Sequence, residues 1–178
     1  MQDPGSSKTA TQTQTTARRQ DKDSYYTSAD YHAFFKSAEL TPIDVVETLL
    51  PLIRRDAQPP GKHSIAFLES HAKPIVAAAE ASTERYKKGQ PLGPLDGVPV
   101  VVKDEVHLDG YERTLGSKLD FKGGLEGSSW CVRKWEEAGA IVIGKTTMHE
   151  LGLGKFSITR TSTEKACSLI LVSRYKQQ

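Results

Sequence analysis

Lys103 closes the run Gly97-Val98-Pro99-Val100-Val101-Val102-Lys103, whose β-branched residues read as a buried strand. A strand of this kind delivers an ammonium group to the edge of an apolar interior. Burial disfavours the charged form of lysine, and a neutral amine is a proton acceptor for general-base chemistry. The same spacing also lets Lys103 snorkel to solvent or pair with Asp104 or Glu105.

Two other stretches carry chemically suggestive letters. Gly139-Ala140-Ile141-Val142-Ile143-Gly144-Lys145-Thr146 fits the G-x-x-x-x-G-K-T pattern of a phosphate-binding loop. Such a loop needs a strand before its first glycine and a turn between the glycines, with amides facing the phosphates. Here a helical pattern precedes Gly139 and the intervening residues read as a strand, so nucleotide binding is not expected. Gly127-Ser128-Ser129 has two adjacent hydroxyls but no flanking glycine pairs, and capping of the next helix by Ser128 or Ser129 is the expected role. The histidines, His32, His63, His71, His107 and His149, have no metal-ligand spacing with one another or with Cys131 and Cys167, and neither a metal nor a disulfide framework is expected. No cofactor is implied.

The stretch from Pro91 to Asp104 resembles the amidase signature family, hydrolases of carboxylic amides and related C–N bonds. The resemblance continues in register through Thr114-Leu115-Gly116-Ser117, the segment Trp130 to Ala138, and Gly139 to Leu151. It is loose from Ser28 and close from Pro91 to Gly154. By this resemblance Lys103 matches the lysine of a Ser–Ser–Lys triad. In such a triad the neutral lysine draws a proton through a bridging serine from the nucleophilic serine, which attacks the amide carbonyl to give an acyl-enzyme. Backbone N–H groups of a glycine-rich stretch hold the oxyanion. The partner implied for a complete member is a small-molecule amide.

Family members carry both serines downstream of the Gly-Lys-Thr segment, one of them in a Gly-Gly-Ser-Ser-Gly-Gly stretch. The nucleophile lies in a second Gly- and Ser-rich stretch after it, and from Lys155 to Gln178 this chain has neither stretch. The expectation is therefore a chain that begins an amidase without finishing one and is inactive as it stands. The alternative is a noncatalytic product that binds a partner or does not fold.

The elements that must position Lys103 follow from local signals. Ser28 can cap a helix to about Ser37, and Thr41-Pro42-Ile43-Asp44 starts a second helix from Pro42 to about Arg55, with Ile43, Val46, Leu49, Leu50 and Ile53 as its apolar stripe. Ile65 to Leu68 is a short apolar run. Pro74 to Lys88 is alanine-rich and stopped by Gly89. The strand ending at Lys103 follows, then a polar loop, a helix from about Ser129 to Ala138 stopped by Gly139, and a strand from Ala140 to Ile143. Helices alternating with short strands indicate an α/β sheet covered by helices, here the N-terminal, incomplete portion of the amidase-signature fold.

Composition bounds the rest. A length of 178 residues allows about one domain. Residues 1–24 are rich in Gln, Thr and Ser and are expected to be a disordered tail, residues 25–154 the folded part, and residues 155–178 a divergent tail. A net charge of +2 is too small and too evenly spread to imply nucleic acid. No apolar run approaches the roughly 18 residues of a membrane span, and no secretory segment is evident, so a cytoplasmic location is expected.

Overall fold

The computed structural model of the protein describes residues 26–119, 121 and 126–153; the two expected tails, 1–24 and 155–178, lie outside the described residues. Helix α1 spans Ser28–Ser37 and α2 spans Pro42–Ile53. Both begin at a capping box. Thr27 and Asp30 exchange the reciprocal bonds that start α1, so the cap is Thr27 and not Ser28, which already lies in the first turn. Thr41 and Asp44 do the same for α2, with Pro42 at a first-turn position whose N–H has no intrahelical partner in any case. The apolar stripe of α2 includes Val45 as well as Val46, Leu49, Leu50 and Ile53, while Ile43 is only partly buried.

A short 3₁₀ turn, Ser64–Ala66, leads into strand β1, Phe67–Glu69. The apolar run expected from Ile65 thus divides: Ile65 faces solvent at the turn, and Phe67 is fully buried. Helix α3 covers Ala72–Lys87, two residues earlier at its start than Pro74 suggests, and ends where Gly89 takes a positive φ of 68°. Strand β2 is Pro99–Lys103, helix α4 is Trp130–Glu137, and strand β3 is Ile141–Thr146. β3 therefore runs three residues beyond Ile143, the end expected from the sequence. Gly144 does not stop it because glycine here is accommodated inside the strand as an irregularity.

The sheet has the order β1-β3-β2, with β2 parallel and β1 antiparallel to β3. Alternation along the strands sends side chains to two cores. Ile141 and Ile143 join Phe67 and residues of α1, α2 and α3 in the larger cluster, whereas Val102 packs with Leu108 and with Val132 of α4, flanked by Val142. Helices thus cover both faces of an open mixed sheet. Among the described residues no helix is long and apolar enough to cross a membrane.

Two buried carboxylates bracket β2. Before the strand, Asp96 is fully buried and accepts bonds from Arg85 Nε at 2.9 Å and Nη2 at 2.6 Å, Ser82 Oγ at 2.7 Å and the Leu92 N–H at 2.9 Å. Gly139 packs against this carboxylate at φ +86°, and a Cβ there would lie 2.5 Å from Asp96 Oδ1. Only glycine fits that approach. After the strand stands Asp104.

Candidate active site at the carboxyl end of the parallel strands

Lys103 is the last residue of β2, as the apolar run indicates, and its register partner on β3 is Thr146. Its ammonium is not desolvated. The side chain is 51% exposed and its Nζ lies 3.1 Å from Glu105 Oε1. Of the two readings open from the sequence, this is the one in which Lys103 snorkels and pairs with Glu105: the strand interior is buried at Val102, and the four-carbon stem carries the charge out to solvent.

The buried lysine at this end of the sheet is Lys145. Its side chain has no solvent exposure, and its Nζ donates to the backbone oxygens of Asp104 at 3.1 Å and Glu112 at 2.7 Å while lying 3.1 Å from Asp104 Oδ1. The register explains how it gets there. β3 has one more residue than β2 between the pairs Val100–Val142 and Val102–Lys145. Strict alternation would have placed Lys145 on the face of Ile141 and Ile143; the extra residue moves it to the face of Val102. Gly144 permits the bulge, because a Cβ at this position would meet the Glu69 carbonyl at 2.5 Å.

Asp104 gathers the site. Besides Lys145 it accepts from the Thr114 N–H at 3.0 Å, Thr114 Oγ1 at 2.6 Å and the Gly116 N–H at 3.1 Å. Burial raises its pKa, but bonds from Thr114, Gly116 and Lys145 outweigh that and hold the carboxyl below its ordinary value. The turn at Thr114–Ser117 is in turn docked on the segment after β3: the Leu151 N–H donates to the Leu115 carbonyl at 2.8 Å, and Ser117 Oγ donates to Glu150 at 2.9 Å. Segments far apart in sequence, 97–104, 114–117 and 144–151, are thereby joined around one carboxylate. This is the end of an open α/β sheet at which ligands commonly bind.

The other residues singled out from the sequence stand elsewhere. Ser129 occupies the position before α4 but makes no side-chain cap bond, and Ser128 Oγ instead accepts from the Asp109 N–H at 3.1 Å. Neither hydroxyl caps α4, because Ser128 is drawn to the loop before it. In Gly139–Thr146, helix α4 precedes the first glycine, the strand begins at Ile141, and the Lys145 ammonium is occupied by Asp104. A cleft of about 550 Å³ between α3, α4 and the loop at 108–111, bordered by Ile75, Leu108, Tyr111 and Glu136, does not include Lys103. The Asp104–Lys145 pair is what sequence reasoning missed. Its one available signal was an apolar run continuing past a glycine to a lysine, parallel to a second apolar run that ends in lysine and aspartate.

An open mixed sheet with helices on both faces, and a lysine ending its edge strand beside an aspartate that joins the surrounding loops, place the described residues in the α/β class. The Amidase family model matches residues 55–163, more than half of the chain. The chain belongs to the amidase-signature family. It is 33% identical over 133 residues to a fatty acid amide hydrolase of Arabidopsis thaliana, covering 73% of this chain and 21% of that one. It is 33% identical over 132 residues to a mitochondrial glutamyl-tRNA(Gln) amidotransferase subunit from Mus musculus, covering 74% and 24%. Among solved structures, an amidase superposes with a TM-score of 0.61 at 29% identity over 70% of this chain and 27% of that one. The peptide amidase of Stenotrophomonas maltophilia gives 0.59 at 26% identity over 69% and 25%. The chain thus spans about a fifth to a quarter of the length of the curated relatives it matches.

Proposed function

We propose that this chain carries the proton-accepting part of a hydrolase of carboxylic amide C–N bonds, with Lys103 as the terminal base of a Ser–Ser–Lys relay. The observation that carries the reading is the position of Lys103: it ends the strand beside the joint made by Asp104, and its amine stands open to an approaching hydroxyl. Its partner Glu105 is itself half exposed, so their ion pair is screened and weak, on the order of 0.2–1 kcal/mol. Such a partner is easily displaced. Fatty acid amide hydrolase and peptide amidase among the similar proteins are consistent with an amide substrate.

The relay also needs two serine hydroxyls and an oxyanion cradle. No Gly-Gly-Ser-Ser-Gly-Gly stretch occurs in residues 1–178, so these residues by themselves are proposed to be inactive. Incubation of the 178-residue chain with a fluorophosphonate probe tests this, and no serine labelling is expected. Labelling would show that a nucleophile is present and overturn that part of the reading. In a longer form of the protein containing the two serine stretches, Lys103→Ala is expected to lower amide hydrolysis by about 10²–10⁴-fold, as loss of a general base does. Full activity of a folded Lys103→Ala variant would remove Lys103 from the mechanism.

A further inference from the structure

Two acids adjoin Lys103 in the chain, Asp104 and Glu105, and they are used differently. Glu105 is half exposed and holds the Lys103 ammonium loosely; Asp104 is fully buried, where an unpaired carboxylate attracts a nearby cation more strongly. Asp104 is instead engaged by Lys145, which reaches it from β3, 41 residues away in sequence. Asp104 and Lys145 have no solvent exposure, so this allocation of charges is set by the fold and not by solvent.

We propose that Lys145 is a positioning residue for Lys103: as the buried counter-ion of Asp104 it keeps that carboxylate from capturing the neighbouring ammonium, and it fixes the turn that follows Lys103. This rests on the reading of Lys103 as a base. Among the described residues, charged groups on the segments that meet at this end of the sheet include Asp104 and Glu105 on the turn, Lys145 on β3, Glu69 on β1, Glu112 and Arg113 on the loop, and Glu150 after β3, which accepts from Ser117 Oγ. Glu69 already has His71 at 3.3 Å. Glu112 gives its backbone oxygen to Lys145, which seats the cation firmly against Asp104. Bulging of β3 at Gly144 is the backbone device that delivers Lys145 to this face.

The two members of the pair should act on Lys103 in opposite directions. Acylation of Lys103 by N-acetoxysuccinimide at about pH 8 in the full 178-residue chain, read by peptide mass spectrometry, reports how freely its amine loses the proton. Lys145→Met leaves Asp104 uncompensated beside Lys103 and is expected to slow acylation about three- to tenfold, because an opposite charge favours the ammonium. Asp104→Asn leaves the Lys145 cation unopposed and is expected to speed it by a similar factor. Lys145→Arg, and the double variant Asp104→Asn with Lys145→Met, are expected to stay near the unaltered chain. Circular dichroism reports which variants fold, and if one single variant does not, the sign of the other decides. Changes of the same sign in both, no change in either, or loss of the fold in both singles would make the pair a structural clamp and overturn the proposal. Hydrolysis is not read in this assay, so failure here is distinct from failure of Lys103 as a base.

Discussion

Lys145 Nζ lies 3.1 Å from both the Oδ1 and the backbone oxygen of Asp104, and neither side chain is reached by solvent. Forming such a pair costs both partners their hydration, so its net stabilisation is small, yet removing one partner strands a buried charge. Lys145→Met is therefore expected to destabilise the chain by about 3–5 kcal/mol. The double variant Asp104→Asn with Lys145→Met should cost less than the single one, and urea titrations of both measure the difference. A double variant more damaged than the single would show that the charges matter less than the bonds from Thr114 and Gly116.

Acid should act through the two carboxylates that bracket β2. In Asp96 as in Asp104, burial raises the pKa but hydrogen bonds more than reverse it, those from Arg85, Leu92 and Ser82 in the case of Asp96. A carboxyl whose pKa is lower folded than unfolded stabilises fully above its unfolded value, ordinarily 3.8, and the contribution is lost as pH falls through the lower folded value. Stability is thus expected to hold from neutrality to about pH 5 and to drop below about pH 4. Thermal melts across that range check it, and Asp96→Asn should flatten the acid limb.

Gly139 tests the seat of Asp96. With φ at +86° and Asp96 Oδ1 2.5 Å from where a Cβ would be, Gly139→Ala must strain the backbone and displace a carboxylate bound to Arg85. The expected cost exceeds the roughly 1–3 kcal/mol of the backbone conformation alone. Gly89→Ala is the control: it has a similar positive φ, but its Cβ would meet nothing within 4 Å, so it should cost less. Equal melting temperatures for the two variants would contradict the packing argument.

Helix α2 should show its two determinants separately. Thr41→Ala removes the capping oxygen that accepts from the Asp44 N–H and is expected to cost about 0.5–2 kcal/mol. Leu49→Ala empties part of the larger core, where Leu49 is 2% exposed, and is expected to cost about 2–5 kcal/mol. Urea midpoints of both variants measure the order, which should not invert.

Local signals made much of this protein legible before its structure. The capping box at Thr41 acts over three residues, the stops at Gly89 and Gly139 act within one turn, and the β-branched run to Lys103 declares itself by composition, whereas the cap of α1 was read at Ser28 and lies at Thr27. Each is a contact or a conformational preference inside one segment, so the sequence contains it whole. The family resemblance was legible for a related reason, since ordered motifs keep their spacing. What tertiary structure alone decided is which charge meets which. Lys145 and Asp104 are brought together by the pairing of β2 with β3, and a one-residue bulge at Gly144 chooses the face on which Lys145 appears. The sequence left open whether Lys103 is buried or snorkels to Glu105, and it put Lys145 past the end of its strand. The fold decided both because burial depends on what packs across the sheet, and the end of β2 opens to solvent beside Glu105 while the end of β3 is enclosed by the loop that Asp104 ties down.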